Sequence, residues 1–118
     1  MIKADFTMDA SRKMASLHLM GHAGAGEYGK DIICASASIL AYTLAQNIKM
    51  ERARGLLKYD PKIKLKEGKA IITCRAKDDE SYAEILHTFL VIQTGYQLLA
   101  NNYPDYVVVN MFGETTES

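Results

Sequence analysis

The chain has 118 residues, 48% of them hydrophobic and 24% charged, with 14 Lys and Arg side chains balanced by 14 Asp and Glu. This is an ordinary globular balance for one domain, residues 1–118, able to bury one core but not two. Zero net charge argues against a domain built to hold nucleic acid through phosphates, though it leaves local patches open, and two cysteines are too few for a disulfide framework. The start, MIKADFTMDA, lacks the apolar core of a secretory signal, and no apolar run reaches the roughly 18 residues of a membrane span. A cytoplasmic protein with free thiols and no membrane partner is the expectation.

Ile2, Ala4, Phe6 and Met8 alternate with Lys3, Asp5 and Thr7, the period of a half-buried strand. DASRK supplies a polar turn, and residues 14–22 resume as a second strand with Ala15, Leu17 and Leu19 on one face and Ser16, His18 and His22 on the other. A glycine-rich loop follows from about Ala23 to Lys30. Asp31 reads as the N-cap of a helix from Ile32 to about Arg54, which Gly55 ends. Its first half is apolar or small nearly all round, so burial on more than one side is expected. IKLKEGKAIITCRA alternates on both sides of Glu67-Gly68, a second hairpin. Ser81 and Glu84 form a capping box for a second helix, whose apolar stripe is Ile85, Phe89, Ile92, Tyr96 and Leu99. Residues 106–111 make a last strand, and GETTES is a tail. The order ββαββαβ predicts an α+β domain, a mainly antiparallel sheet with two packed helices.

The chemistry concentrates between His22 and Ser38. Asp31 stands three residues before Cys34 and Ser38 four after it, so all three share one helix face. Counted from the expected cap, Cys34 is the third residue, where free amides and the helix dipole favour a thiolate. His22 ends the preceding strand, and an imidazole within reach of a thiol makes a ready nucleophile. Gly24, Gly26 and Gly29 permit close approach of a peptide, and their amides, with that of Cys34, are candidates for holding an oxyanion. They read as a substrate-binding loop that orders when a peptide arrives.

Blander readings compete with each of these. A single cysteine on an alanine-rich helix is often just a small core residue, and Asp31 is most simply a cap. Cys74, in an alternating strand, reads as core. GAGEYG resembles a phosphate-cradling loop in glycine content, but it lacks the Lys-Ser/Thr ending of a P-loop. A metal is also disfavoured: on one strand His18 and His22 stand roughly 13 Å apart, and His22 with Cys34 and Asp31 is a weak zinc set.

The run Gly21-His22-Ala23, a glycine-containing loop, then Gly29-x-Asp31-x-x-Cys34-Ala35-x-x-Ser38 resembles the ribosomal-processing cysteine protease (Prp) family, as do the length and element order of nearly the whole chain. The resemblance implies a bacterial cytoplasmic endopeptidase without metal or organic cofactor. It implies removal of an N-terminal extension from the precursor of the twenty-seventh protein of the large ribosomal subunit, with cleavage after a pair of phenylalanines. By carry-over Cys34 is the nucleophile, His22 the base and acid, and Asp31 and Ser38 supporting residues whose roles stay open. A homodimer is also implied, and no direct nucleic-acid contact is expected. Ser36-Ala37 departs from the family's usual alanine and β-branched residue, which touches helix packing and leaves the dyad intact. Two other classes compete: a non-enzymatic ribosome-associated binding module, and a redox protein, for which Cys74 is the one available resolving thiol.

Overall fold

The alternation at the N-terminus produces β1 (Ile2–Asp9), and β2 (Met14–Met20) returns antiparallel beside it, with Ile2, Ala4, Phe6, Ala15, Leu17 and Leu19 buried on one face. The computed structural model describes residues 1–22 and 30–114. Beyond β2 come α1 (Lys30–Ala53), β3 (Lys62–Lys66), β4 (Lys69–Arg75), α2 (Asp79–Asn102) and β5 (Val107–Glu114). The strands form one sheet in the order β3-β4-β2-β1-β5. The β1–β2, β2–β4 and β3–β4 pairings are antiparallel, while β5 runs parallel to β1 after the α2 crossover. The chain is therefore the expected α+β domain.

Both helices lie on the same side of the sheet. Phe6, Leu17 and Ile72 from the strands meet Leu44 and Ile48 of α1 and Ile85, Phe89 and Tyr96 of α2, all fully buried. Each such side chain contributes on the order of 1.5–3 kcal/mol through removal of apolar surface from water. Tyr96 joins three elements: its ring stands edge-on to Phe6 at 5.9 Å, and its hydroxyl donates to the Ala37 carbonyl of α1 at 2.7 Å. Beside it the helices touch at Gly95, where a Cβ would lie 2.6 Å from Leu40 Cδ2.

The element boundaries correct three expectations. First, α1 begins at Lys30, so Asp31 lies within its first turn and does not cap it. Its far end follows the expectation more closely: Gly55 adopts φ 81, its N–H donates to Arg52 O, and Leu56 N–H donates to Glu51 O, a Schellman stop. Second, α2 is capped by Asp78, whose side chain accepts from Ser81 N at 2.8 Å; Ser81 is buried inside the first turn. That hydrogen bond lowers the Asp78 pKa, because it favours the carboxylate. Third, α1 is buried on one side only: Ile33, Ala37, Ala41 and Leu44 face the core, while Ile32 and Ile39 are 61% and 59% exposed.

Candidate active site

Cys34, Ala37, Ser38, Ala41 and Tyr42 follow the i, i+3, i+4 spacing of one helix face, and all five line a cleft of about 620 Å³. The opposite wall is the β3–β4 turn, and Ile2 and Leu19 complete the lining from the ends of β1 and β2. Cys34 is half-buried there, and Ser38 stands one turn further along the same wall. His22 enters from the other side.

The sequence places His22 on the strand, but β2 stops at Met20. The chain breaks away at Gly21, whose φ of 103 belongs to glycine and whose missing Cβ would otherwise meet the Met1 carbonyl oxygen. Gly21 N–H donates to Gly68 O at 3.0 Å, and the Met1 amino group donates to His22 O at 2.6 Å. These bonds hold the His22 backbone while its ring rests on the β3–β4 turn. A Cβ at Gly68 would stand 2.6 Å from His22 Nε2 and 2.9 Å from Cε1. His18, by contrast, is exposed on the far face of the sheet, so the two histidines do not share a surface.

Cys34 is the fifth residue of α1 and not the third after a cap. An amide in that position belongs to the i→i−4 ladder, which removes it from the candidate oxyanion donors. The substrate-loop glycines Gly24, Gly26 and Gly29, and the ordering expected of them, lie outside the described residues, as does the side chain of Asp31. Among the described residues, Cys34 and His22 share the cleft without a direct hydrogen bond; such contacts often tighten only when substrate binds.

The second thiol is unlike the first. Cys74 points into the core from β4, 3% exposed, and burial pushes its pKa up to about 12, helped by the nearby Glu51 charge. A thiol so placed stays protonated and unreactive.

Residues missed at the sequence level are those that close the cleft: Gly68, Leu65 and Tyr42. Gly68 reads in sequence only as a turn glycine. Its second task, making room for an imidazole 46 positions earlier, depends on β4 pairing with β2.

The family model described as cysteine protease Prp matches residues 1–108. The chain belongs to the Prp cysteine protease family. The ribosomal processing cysteine protease Prp of Mycoplasma genitalium is 30% identical over 91 residues, covering 76% of this chain and 81% of that protein. The Staphylococcus aureus protein of the same name is 43% identical over 42 residues, 36% of this chain and 40% of its own length. Among solved structures, SMU.848 from Streptococcus mutans superposes with a TM-score of 0.70 at 25% identity, covering 97% of this chain and 96% of that one. The S. aureus Prp protease in complex with a covalently linked product peptide gives 0.67 at 27% identity, with 94% and 99% covered. Membership makes this chain a cysteine peptidase. Among the described residues no helix is long and apolar enough to cross a membrane.

Proposed function

We propose that the chain is an endopeptidase in which Cys34 is the nucleophile and His22 the general base and acid. The observation that carries this reading is the contrast between its two thiols. A cysteine peptidase needs one reactive cysteine, and the sequence offers two. Cys74 is sealed in the core, whereas Cys34 opens onto a cleft that also receives an imidazole. The covalently linked product peptide of the S. aureus relative supports a nucleophilic route here as well.

In the proposed reaction His22 takes the thiol proton, and Sγ of Cys34 attacks the scissile carbonyl carbon. The tetrahedral oxyanion collapses, the C–N bond breaks, and the imidazolium of His22 gives its proton to the leaving amine. A water then loses a proton to His22 and attacks the thioester, releasing the carboxylate and restoring the thiol. Ser38 lines the same wall as Cys34 and is assigned a supporting contact to substrate. Asp31, in the first turn of α1, is assigned an electrostatic role toward the dyad.

For substrate we propose the N-terminal extension of the precursor of the twenty-seventh large-subunit ribosomal protein, cut after its phenylalanine pair, in the cytoplasm. Ile2, Leu19, Ala41, Tyr42 and Leu65 give the cleft apolar walls, and its volume falls in the range that takes side chains of this size. A homodimer is part of the same proposal, and the exposed Ile32 and Ile39 of α1 support it. The test is cleavage of a peptide carrying the extension, with mass spectrometry of both products. The wild-type chain and Cys74→Ala should cut after the phenylalanine pair, while Cys34→Ala and His22→Ala should not. Full cleavage by Cys34→Ala would sink the assignment, and an inert wild-type chain would favour a purely binding role.

A further inference from the structure

The face of the sheet that carries neither helix is strongly basic, although the whole chain has zero net charge. Seven of the fourteen Lys and Arg side chains fall between residues 58 and 77, against two of the fourteen carboxylates. The strand period then sorts them. On β3, Ile63 and Leu65 turn toward the helices, so Lys62, Lys64 and Lys66 all project from the open face. The register continues the pattern: Lys66 is opposite Lys69, Lys69 opposite Met20, and Met20 opposite Lys3. Arg75 stands on the same face further along β4.

All five of these lysines are exposed, and none forms an ion pair among the described residues. Among the described residues, the carboxylates that the strand period and neighbouring side chains put with this face are already engaged: Asp5 accepts from Asn110 Nδ2 at 2.8 Å, Asp60 beside Tyr59 pairs with Arg52, and Asp9 at the end of β1 pairs with Arg12. Two aromatic rings accompany the charge. Phe112, 52% exposed, projects from β5 across from Thr7, and Tyr59 lies beside Arg75 with 5.9 Å from guanidinium to ring centroid.

We propose that this open face binds single-stranded RNA. Lysines at alternate strand positions are spaced about 6.7 Å apart, which lets successive ones meet successive phosphates of an extended strand. An exposed aromatic ring on a sheet is a platform for a base of any identity, and a flat sheet suits splayed-out single strands but cannot enter the deep groove of an RNA helix. The expectation against nucleic acid rested on net charge, and net charge is blind to segregation by the fold. Lys66 and Lys69 belong both to this face and to the rim of the cleft, so bound RNA would run up to the catalytic opening. The substrate proposed above is a ribosomal protein precursor, a polypeptide bound for an RNA-rich particle, and this one step rests on that reading. An enzyme docked on the RNA would therefore meet its substrate where both are anchored.

Binding is read without any cleavage, so the result is independent of the Cys34 assignment. The experiment titrates a fluorescein-labelled, mixed-sequence 20-nucleotide single-stranded RNA with the full chain at 50 and 200 mM KCl, following anisotropy. Saturable binding that weakens with salt is expected, with a log–log slope of about −2 to −4 for three to six phosphate contacts. Lys64→Glu should weaken binding about tenfold and flatten the slope by about one. Lys49→Glu, the same charge change on the exposed surface of α1, should cost less than twofold. Phe112→Ala should weaken binding several-fold and leave the slope unchanged. Lys62→Glu/Lys64→Glu touches neither cleft wall and should still cut the free peptide, which with an unchanged melting temperature certifies its fold. Absence of saturable binding at 50 mM KCl would overturn the proposal, as would equal losses for Lys64→Glu and Lys49→Glu. Tighter binding to polyglutamate, or to vesicles rich in anionic lipid, would reassign the face to that partner and reject RNA.

Discussion

The imidazole of His22 occupies the space that a side chain at Gly68 would fill, with Nε2 2.6 Å from the position of the absent Cβ. The turn glycine thus fixes where the proposed base stands, and its own φ of 76 independently favours glycine. Gly68→Ala should displace the ring and lower kcat/KM at least tenfold, while the left-handed backbone costs roughly 1 kcal/mol or more of stability. Alkylation of Cys34 across pH separates the two effects. A displaced imidazole shifts the rate profile toward that of His22→Ala, whereas simple destabilisation leaves it in place. Wild-type turnover by the variant would show that the ring does not need this seat.

Thiol chemistry should divide cleanly between the two cysteines. With its pKa pushed up to about 12 and 3% of its surface exposed, Cys74 has almost no thiolate and no access for a reagent near neutral pH. Iodoacetamide at pH 7.5 should add one carbamidomethyl group to the native chain, on Cys34, and none to Cys34→Ala. Both thiols should react in urea. Comparable labelling of Cys74 in the folded protein would contradict its interior placement.

Local periodicity made the element order legible, because alternation and helical stripes are encoded within each segment. Boundaries were less so. Asp78, Asp79, Glu80 and Ser81 offer several polar residues at the start of α2, and Asp78 wins because its carboxylate reaches Ser81 N. At α1 the helix starts before Asp31, which moves Cys34 into the second turn. That His22 and Cys34 reach one cleft is legible because a single loop separates them. The seat at Gly68 is not, since it arises from β2 and β4 becoming neighbours with α1 and β3 between them in sequence. Composition likewise hid the basic face, which exists only once strand register is known.

Tyr96 ties the wall that bears Cys34 to the core. Its hydroxyl, fully buried, donates to Ala37 O at 2.7 Å, one turn beyond Cys34. Tyr96→Phe keeps the edge-on contact with Phe6 and removes only that bond. A loss of about 1 kcal/mol is expected, because the Ala37 carbonyl keeps its place in the helical ladder. Chemical denaturation measures the cost. A change above about 3 kcal/mol would mean that the hydroxyl organises more than this one carbonyl.

Glu51 should make stability depend on pH in a direction opposite to most carboxylates. It is 6% exposed at the helix–helix contact, where Oε2 accepts from Thr88 Oγ1 at 2.7 Å and Oε1 has no partner among the described residues. Burial raises its pKa above 4.5; the Thr88 bond opposes this, the neighbouring Glu84 adds to it and Arg54 opposes it. Because the folded pKa exceeds the unfolded one, the native state binds more protons between the two values. Stability from this residue is therefore full below about pH 4.5 and falls as pH rises through the folded pKa. The loss is about 1.4 kcal/mol for each unit separating the two values. Glu51→Gln keeps the size and can still accept from Thr88 but cannot ionise, so its difference curve against wild type isolates this one group. Urea unfolding from pH 4 to 7.5 should show the variant gaining on wild type as pH rises, with the gain flat once Glu51 is ionised. A difference that shrinks with rising pH would mean that the folded protein stabilises the Glu51 carboxylate, through Arg54 and Thr88, more than burial opposes it.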